Sequence, residues 1–201
     1  MIIKKIYVRN FRNIREADLE FSPNANIFLG DNAQGKTNLI EAVSLALGKS
    51  FRNTKIAPFI PFEADGRKES TLIKLSYELE TFPGRTNEVV FEADGERSEV
   101  KINSVLLRKA TDLYGEFKYV VFTPDHLNLI KGYPDTRRYY LDNIAVMQNK
   151  SHKKIQYEYR EALKQRCAAY ASGSYPPDAL GVWDDILIKQ GINLTYGRLK
   201  Y

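Results

Sequence analysis

The chain has 201 residues, of which 43% are hydrophobic and 12% aromatic, and carries a formal net charge of +5. That is enough apolar material for a substantial core, arranged as one domain or one and a half. No apolar run is long enough to span a bilayer, and the opening MIIKKIYVRNFRN places charges where a secretory leader would be apolar, so neither a membrane helix nor a leader is expected. The lone Cys167 excludes an internal disulfide, and His126 and His152 stand apart with no Cys or second His at ligand spacing. A reducing, cytoplasmic protein without zinc is the expectation.

In chain order, IIKKIYV and ADLEF alternate apolar with polar residues and read as strands, and NIFLG reads as a short apolar strand leading into a glycine-rich stretch. From Lys36 the period changes: Leu39, Ile40, Val43, Ala46 and Leu47 fall at helical spacing and Gly48 is a plausible stop. An irregular stretch with Pro58 and Pro61 follows. STLIKLSYELE then alternates over Thr71, Ile73, Leu75, Tyr77 and Leu79, and NEVVFEADGERSEVKI carries Asp94-Gly95 between two strand-like runs, a hairpin signal. KYVVF, ending at Phe122, reads as a buried strand. Beyond Pro124 the helical period takes over, with Ile155, Tyr159, Ala162, Cys167 and Tyr170 assigned to one face of a helix from about Ser151. SGSYPP breaks that helix and another runs from Ala179. The expected division is 1–123 and 124–201, without internal repeats.

The stretch FLGDNAQGKTNLIEA contains Gly30, four residues, Gly35, Lys36 and Thr37, set between an expected strand and an expected helix, which is the context of a P-loop. Two glycines let the backbone curl so that successive N–H groups face phosphate oxygens, and the helix adds its positive end. In such a loop Lys36 reaches the β- and γ-phosphates and the Thr37 hydroxyl ligates Mg²⁺. Charge points to a second partner. Nine basic residues lie between Lys131 and Tyr170 (Lys131, Arg137, Arg138, Lys150, Lys153, Lys154, Arg160, Lys164, Arg166) against Asp135, Asp142, Glu158 and Glu161. That surplus equals the excess of the whole chain and, beside many tyrosines, suits a nucleic-acid backbone or a plain solvated helical face.

The run VRNFRNIREADLEFSPNANIFLGDNAQGKTNLIEAVSLAL resembles the N-terminus of the RecF recombination-mediator family, relatives of the Rad50 and SMC head ATPases. A second motif, PDHLNLIKGYPDTRRYYLD, matches that family at Pro124, Asp125, Leu129, Ile130, Gly132, Pro134, Arg137, Arg138, Tyr140, Leu141 and Asp142, with Tyr133 standing where the family has a small residue. The resemblance implies an α/β P-loop NTPase: an ABC-ATPase-like head lobe, strand-rich with antiparallel hairpins, followed by a helical arm and incomplete at the C-terminus. It implies a phosphate site of Gly30, Asp31, Asn32, Ala33, Gln34, Gly35, Lys36, Thr37 and Asn38, with Asn38 adding a backbone donor. Arg12 of the NFRN opening is then expected near the nucleotide, and Asp125 near the γ-phosphate. Also implied are ATP and Mg²⁺ as cofactors, DNA at single-strand gaps as a partner, the RecR and RecO mediators, single-stranded DNA binding protein, and ATP-dependent homodimerisation. Arg137, Arg138, Lys150, Lys153 and Lys154 are candidate DNA or dimer contacts.

Hydrolysis needs more than the cradle: an acid at a strand end to hold Mg²⁺, and a group to place the water. ALGVWDD offers Asp184 and Asp185, yet Gly181 interrupts the apolar run, and Trp183, Leu187 and Ile188 continue at helical spacing, so these acids are assigned to the arm. No signature segment is visible. The expectation is an ATP-binding N-terminal part with no catalytic residue of its own, little hydrolysis, and a tendency to self-associate through uncovered surfaces. Two other readings are a small-molecule P-loop kinase with Arg137 and Arg138 as lid arginines, and a nucleotide-independent basic module that binds DNA or protein.

Overall fold

The computed structural model describes residues 1–48, 70–94, 97–108, 110–113, 116–172 and 180–200. The chain divides into two compact units, Met1–Val121 and Phe122–Tyr201.

The first unit is built on a six-stranded antiparallel sheet of order β2-β1-β3-β4-β5-β6. Its strands are β1 (Ile2–Phe11), β2 (Ile14–Glu20), β3 (Thr71–Glu78), β4 (Thr86–Ala93), β5 (Ser98–Ile102) and β6 (Val105–Leu106). The period-two pattern of the sequence fixes which face is buried. Ile73, Leu75 and Tyr77 of β3 point to the same side as Val89 and Phe91 of β4 and Ile6 and Val8 of β1. Helix α1 (Lys36–Ala46) lies on that face and adds Leu39, Ala42, Leu45 and Ala46 to one core. The β4–β5 hairpin forms as expected: Asp94 accepts from the Arg97 amide through its side chain at 2.8 Å and donates its own amide to the Arg97 carbonyl at 3.2 Å. Gly95 itself lies outside the described residues, as do Pro58, Pro61 and the stretch 173–179.

A further hairpin, β5–β6, turns through Asn103 (φ 48) and Ser104 (φ 68), both left-handed. That is the signature of a tight primed turn, in which asparagine followed by glycine is preferred. Ser104→Gly removes a left-handed penalty at the cost of some extra chain entropy, so a net stabilisation of about 0.5–1 kcal/mol is expected. It is read as a rise in the urea midpoint at unchanged slope.

Two expected strands are absent. NIFLG and KYVVF pair with no described strand, and Ile27, Leu29, Val120 and Phe122 are 80–89% exposed. Apolarity licenses a buried strand only where a neighbour completes its hydrogen bonds, and the antiparallel sheet closes its ladders without either run. On α1 Leu39, Ala46 and Leu47 are buried as expected, and the face differs in part. Ile40 is exposed while Glu41 and Ser44 are buried, because the sheet contacts the 39-42-45-46 stripe instead.

The second unit is helical: a 3₁₀ turn at Pro124–Leu127, then α2 (Asn128–Lys131), α3 (Pro134–Gln148), α4 (Ser151–Ser172) and α5 (Gly181–Leu199). Helices α3, α4 and α5 pack on one another. On α4 the inward residues are Ala162 and Ala169, whereas Cys167 and Tyr170 face out. Cys167 stands five residues beyond Ala162, half a turn too far round for the same stripe. Polar links tie the bundle together. Asp142 accepts from Arg198 Nε at 2.6 Å and Nη2 at 2.9 Å, Gln190 donates to Glu158 at 2.6 Å, and Trp183 Nε1 donates to Gln165 at 3.0 Å. Asp184 lies in the first turn of α5, paired with Arg166 at 2.5 Å, as its assignment to the arm requires. Among the described residues, no helix is long and apolar enough to cross a membrane.

Candidate nucleotide site

The glycine-rich loop enters α1 through a run of unusual backbone: Gly30 at φ 149, Ala33 at φ 66 and Gly35 at φ 94. Gly35 is the N-cap residue and offers no side-chain cap, and the first turn of α1 carries no acid. The amides at the start of a helix have no intrahelical partner, so with neither a cap nor a negative charge they form a receptive end for an anion. Glycine is required at 35 on two counts. Its φ is left-handed, and an added Cβ would stand 3.0 Å from Asn13 Oδ1.

Lys36 folds back over the loop, donating to the carbonyls of Gly30 at 2.7 Å and of Asp31. Among the described residues its ammonium is thus held beside the loop by neutral acceptors, which a phosphate can replace while adding charge. Asp31, Asn32, Ala33, Gln34 and Thr37 are exposed, and Asn38 is half-buried. Asn38 contributes a side-chain link as well as its place at the helix start: its Nδ2 donates to Asn13 Oδ1 at 2.7 Å. An open cleft of ≈ 690 Å³ runs beside Lys36, bordered by Asn13, Arg15, Glu16, Ile27 and Leu29. Its size is within the range of small-molecule sites, and its mix of apolar and polar walls suits a ligand with a charged end.

The NFRN turn sits against this loop. Arg12, expected near the nucleotide, has its guanidinium on Glu41 of α1, with Nη2 to Oε1 at 2.7 Å and Nε to Oε2 at 2.6 Å. Asn13 and Glu41 are the residues that motif reasoning passed over. Glu41 gave no signal in the sequence: with Thr37 and Ser44 it falls at i, i+4, i+7 spacing, on what reads as the polar side of an amphipathic helix.

A family model described as an AAA ATPase domain matches residues 1–171. The chain belongs to the AAA ATPase domain family. Among its relatives are proteins named DNA replication and repair protein RecF. That of Geotalea daltonii is 31% identical over 202 residues, covering 100% of this chain and 53% of the relative. That of Clostridium acetobutylicum is 32% identical over 204 residues, covering 100% and 54%. That of Listeria innocua is 40% identical over 169 residues, covering 83% and 43%. Among solved structures, the recombination mediator protein RecF with ATP superposes with a TM-score of 0.88 at 28% identity, covering 100% of this chain and 53% of that one. The chain therefore spans about half the length of the curated relatives it matches, and the RecF resemblance read from its two motifs agrees with them.

The second family motif is accounted for within the helical unit. Arg137 Nη1 donates to the carbonyls of Leu129 at 3.2 Å and Gly132 at 3.1 Å, closing the end of α2. Gly132 has no room for a side chain, since a Cβ there would lie 2.4 Å from the Asn128 carbonyl oxygen. Tyr133 caps α3 in extended conformation and is 84% exposed, so the bulk that departs from the family pattern is accommodated in solvent. Arg138 pairs with Asp135 at 2.6 Å, an exposed pair. Lys150 and Lys154 are exposed and Lys153 is half-buried, with Lys154 at 3.6 Å from Glu158. Asp125 stands in the 3₁₀ turn, and its side chain lies outside the description.

Proposed function

We propose that this chain is the ATP-binding part of a RecF-type recombination mediator, which binds DNA in an ATP-dependent way and helps load recombinase at single-strand gaps during repair and replication restart. The observation that carries the reading is the loop-to-helix junction: an acid-free N-terminus of α1 without a side-chain cap, with Lys36 held beside it, among the described residues, by the carbonyls of Gly30 and Asp31. The amides of residues 30–38 would receive the β- and γ-phosphates, and Lys36 would leave its carbonyls for them. Thr37 would give its hydroxyl oxygen to Mg²⁺, a hard cation that also takes phosphate oxygens and water. The likeness to a RecF structure solved with ATP supports adenine as the base. We place the protein in the cytoplasm, with RecR, RecO and single-stranded DNA binding protein as partners, and with a second copy of itself in an ATP-dependent dimer.

The deciding experiment measures DNA binding with and without ATP for the protein and for Lys36→Ala. ATP should strengthen binding only where Lys36 is present; ATP-insensitive binding in both would favour a nucleotide-independent basic module. Lys153 and Lys154 are assigned to the DNA backbone. For single strands each phosphate contact contributes about 0.7 to the slope of log affinity against log salt. Replacing both lysines with alanine is therefore expected to flatten that slope by about 1.4, which a fluorescence titration at several salt concentrations reads directly.

A further inference from the structure

The turn Asn10–Asn13 holds two non-glycine residues in left-handed backbone, Asn10 at φ 52 and Arg12 at φ 54. Such conformations persist when their surroundings over-determine them. Here three anchors converge. Thr71 of β3, fully buried, donates its hydroxyl to the Asn10 carbonyl at 2.6 Å. Glu41, also fully buried, holds the Arg12 guanidinium through two oxygens. Asn13 then donates to the Ala33 carbonyl at 3.2 Å and accepts from Asn38 at 2.7 Å. The turn is thus fixed to the sheet, to the helix that follows the loop, and to the loop itself.

The bond to Ala33 has a directional consequence. In a trans peptide the carbonyl and the next N–H point opposite ways, so tying the Ala33 oxygen to Asn13 turns the Gln34 N–H away from Asn13. Ala33 stands at φ 66, a conformation that needs such a hold. A charged carboxylate buried in the core next to the phosphate loop is retained at a desolvation cost, and a registry role is the best-attested reason for keeping one.

We infer that Glu41 and Asn13 are positioning residues of the nucleotide site: Glu41 anchors Arg12, Arg12 sets the turn, and Asn13 holds the loop in the curl that receives phosphate. Both act on the phosphates through the loop, although Asn13 also borders the cleft. This inference rests on the nucleotide-binding reading, and the experiment separates the two.

A fluorescent ATP analogue with Mg²⁺ is titrated against the protein and against Asn13→Ala, Glu41→Gln, their double variant and Lys36→Ala, with melting temperatures alongside. Asn13 is exposed, so Asn13→Ala keeps the core intact and remains informative even if Glu41→Gln fails to fold. The expected result is a loss of about tenfold in affinity for each single variant, with the double variant no more than about twofold worse than the weaker single, since both act through one turn. Arg12→Lys should recover part of the affinity lost in Arg12→Ala. If the protein binds and Lys36→Ala abolishes binding while Asn13→Ala binds normally, the positioning role is wrong and the nucleotide reading stands. Losses that multiply to about a hundredfold in the double variant would also overturn it, because independent effects add in free energy. Equal absence of binding in the protein and in Lys36→Ala would overturn both.

Discussion

Lys36→Ala is expected to weaken ATP binding by about 10- to 150-fold, the equivalent of about 1.5–3 kcal/mol for one charge-assisted contact. Two features argue that the loss falls on binding alone. Among the described residues the ammonium bonds to the carbonyls of Gly30 and Asp31, which are on an exposed loop and can turn to water when it is removed. No carboxylate among the described residues pairs with it, so none of them is orphaned by its removal. Melting temperature should therefore barely change while affinity for a fluorescent ATP analogue collapses. An affinity equal to that of the unaltered protein would mean that the loop does not hold phosphate.

The second large effect is on the helical unit. Asp142 is nearly buried and receives two bonds from Arg198, joining α3 to the end of α5. The carboxylate holds the Arg198 guanidinium above its already high ordinary pKa, through the direct hydrogen bond first. Arg198→Met leaves the nearly buried carboxylate without its partner, and a cost of about 3 kcal/mol is expected, at the low end for broken buried pairs because Arg198 retains some exposure. Removing both members as Asp142→Leu with Arg198→Met should recover much of that loss, since a pair of apolar groups needs no desolvation. Denaturant unfolding of all four proteins forms a double-mutant cycle, and simple additivity would show that the two residues are not coupled.

Both residues illustrate how far motif reading reaches. Asp142 belongs to the second family motif and lies in α3, ahead of the helix expected from about Ser151, and nothing in the chain nearby marks Arg198, 56 residues on, as its partner. Arg137 and Arg138 looked alike in sequence. The structure gives them different neighbours: Arg137 closes α2 through two carbonyls, and Arg138 meets the exposed Asp135. An exposed pair of that kind contributes at most about 1 kcal/mol, so Arg138 is the more readily exchanged for another anionic partner.

The elements whose information is local were legible. The alternation of β3, the hairpin across Asp94, the start of α1 after Gly35 and its end just before Gly48 follow from period and turn chemistry within a few residues. The same holds for the phosphate loop, whose glycines, lysine and threonine are adjacent in sequence. What required the tertiary structure was every property set by a distant neighbour. NIFLG and KYVVF had the composition of buried strands, yet they lack ladder partners among the described residues, and four of their large apolar residues face outward. The sequence could not show this, because a strand is defined by hydrogen bonds to another segment. Glu41 and Arg12 are similar. Each reads as a surface charge alone, and only the packing of α1 against the turn after β1 buries Glu41 fully and Arg12 in large part, so that the carboxylate needs the guanidinium as its partner. By itself the sequence determined the chemistry this chain carries and the periods of its helices and strands; which faces meet, and which charges therefore must pair, was decided by contacts that exist only once the chain has folded.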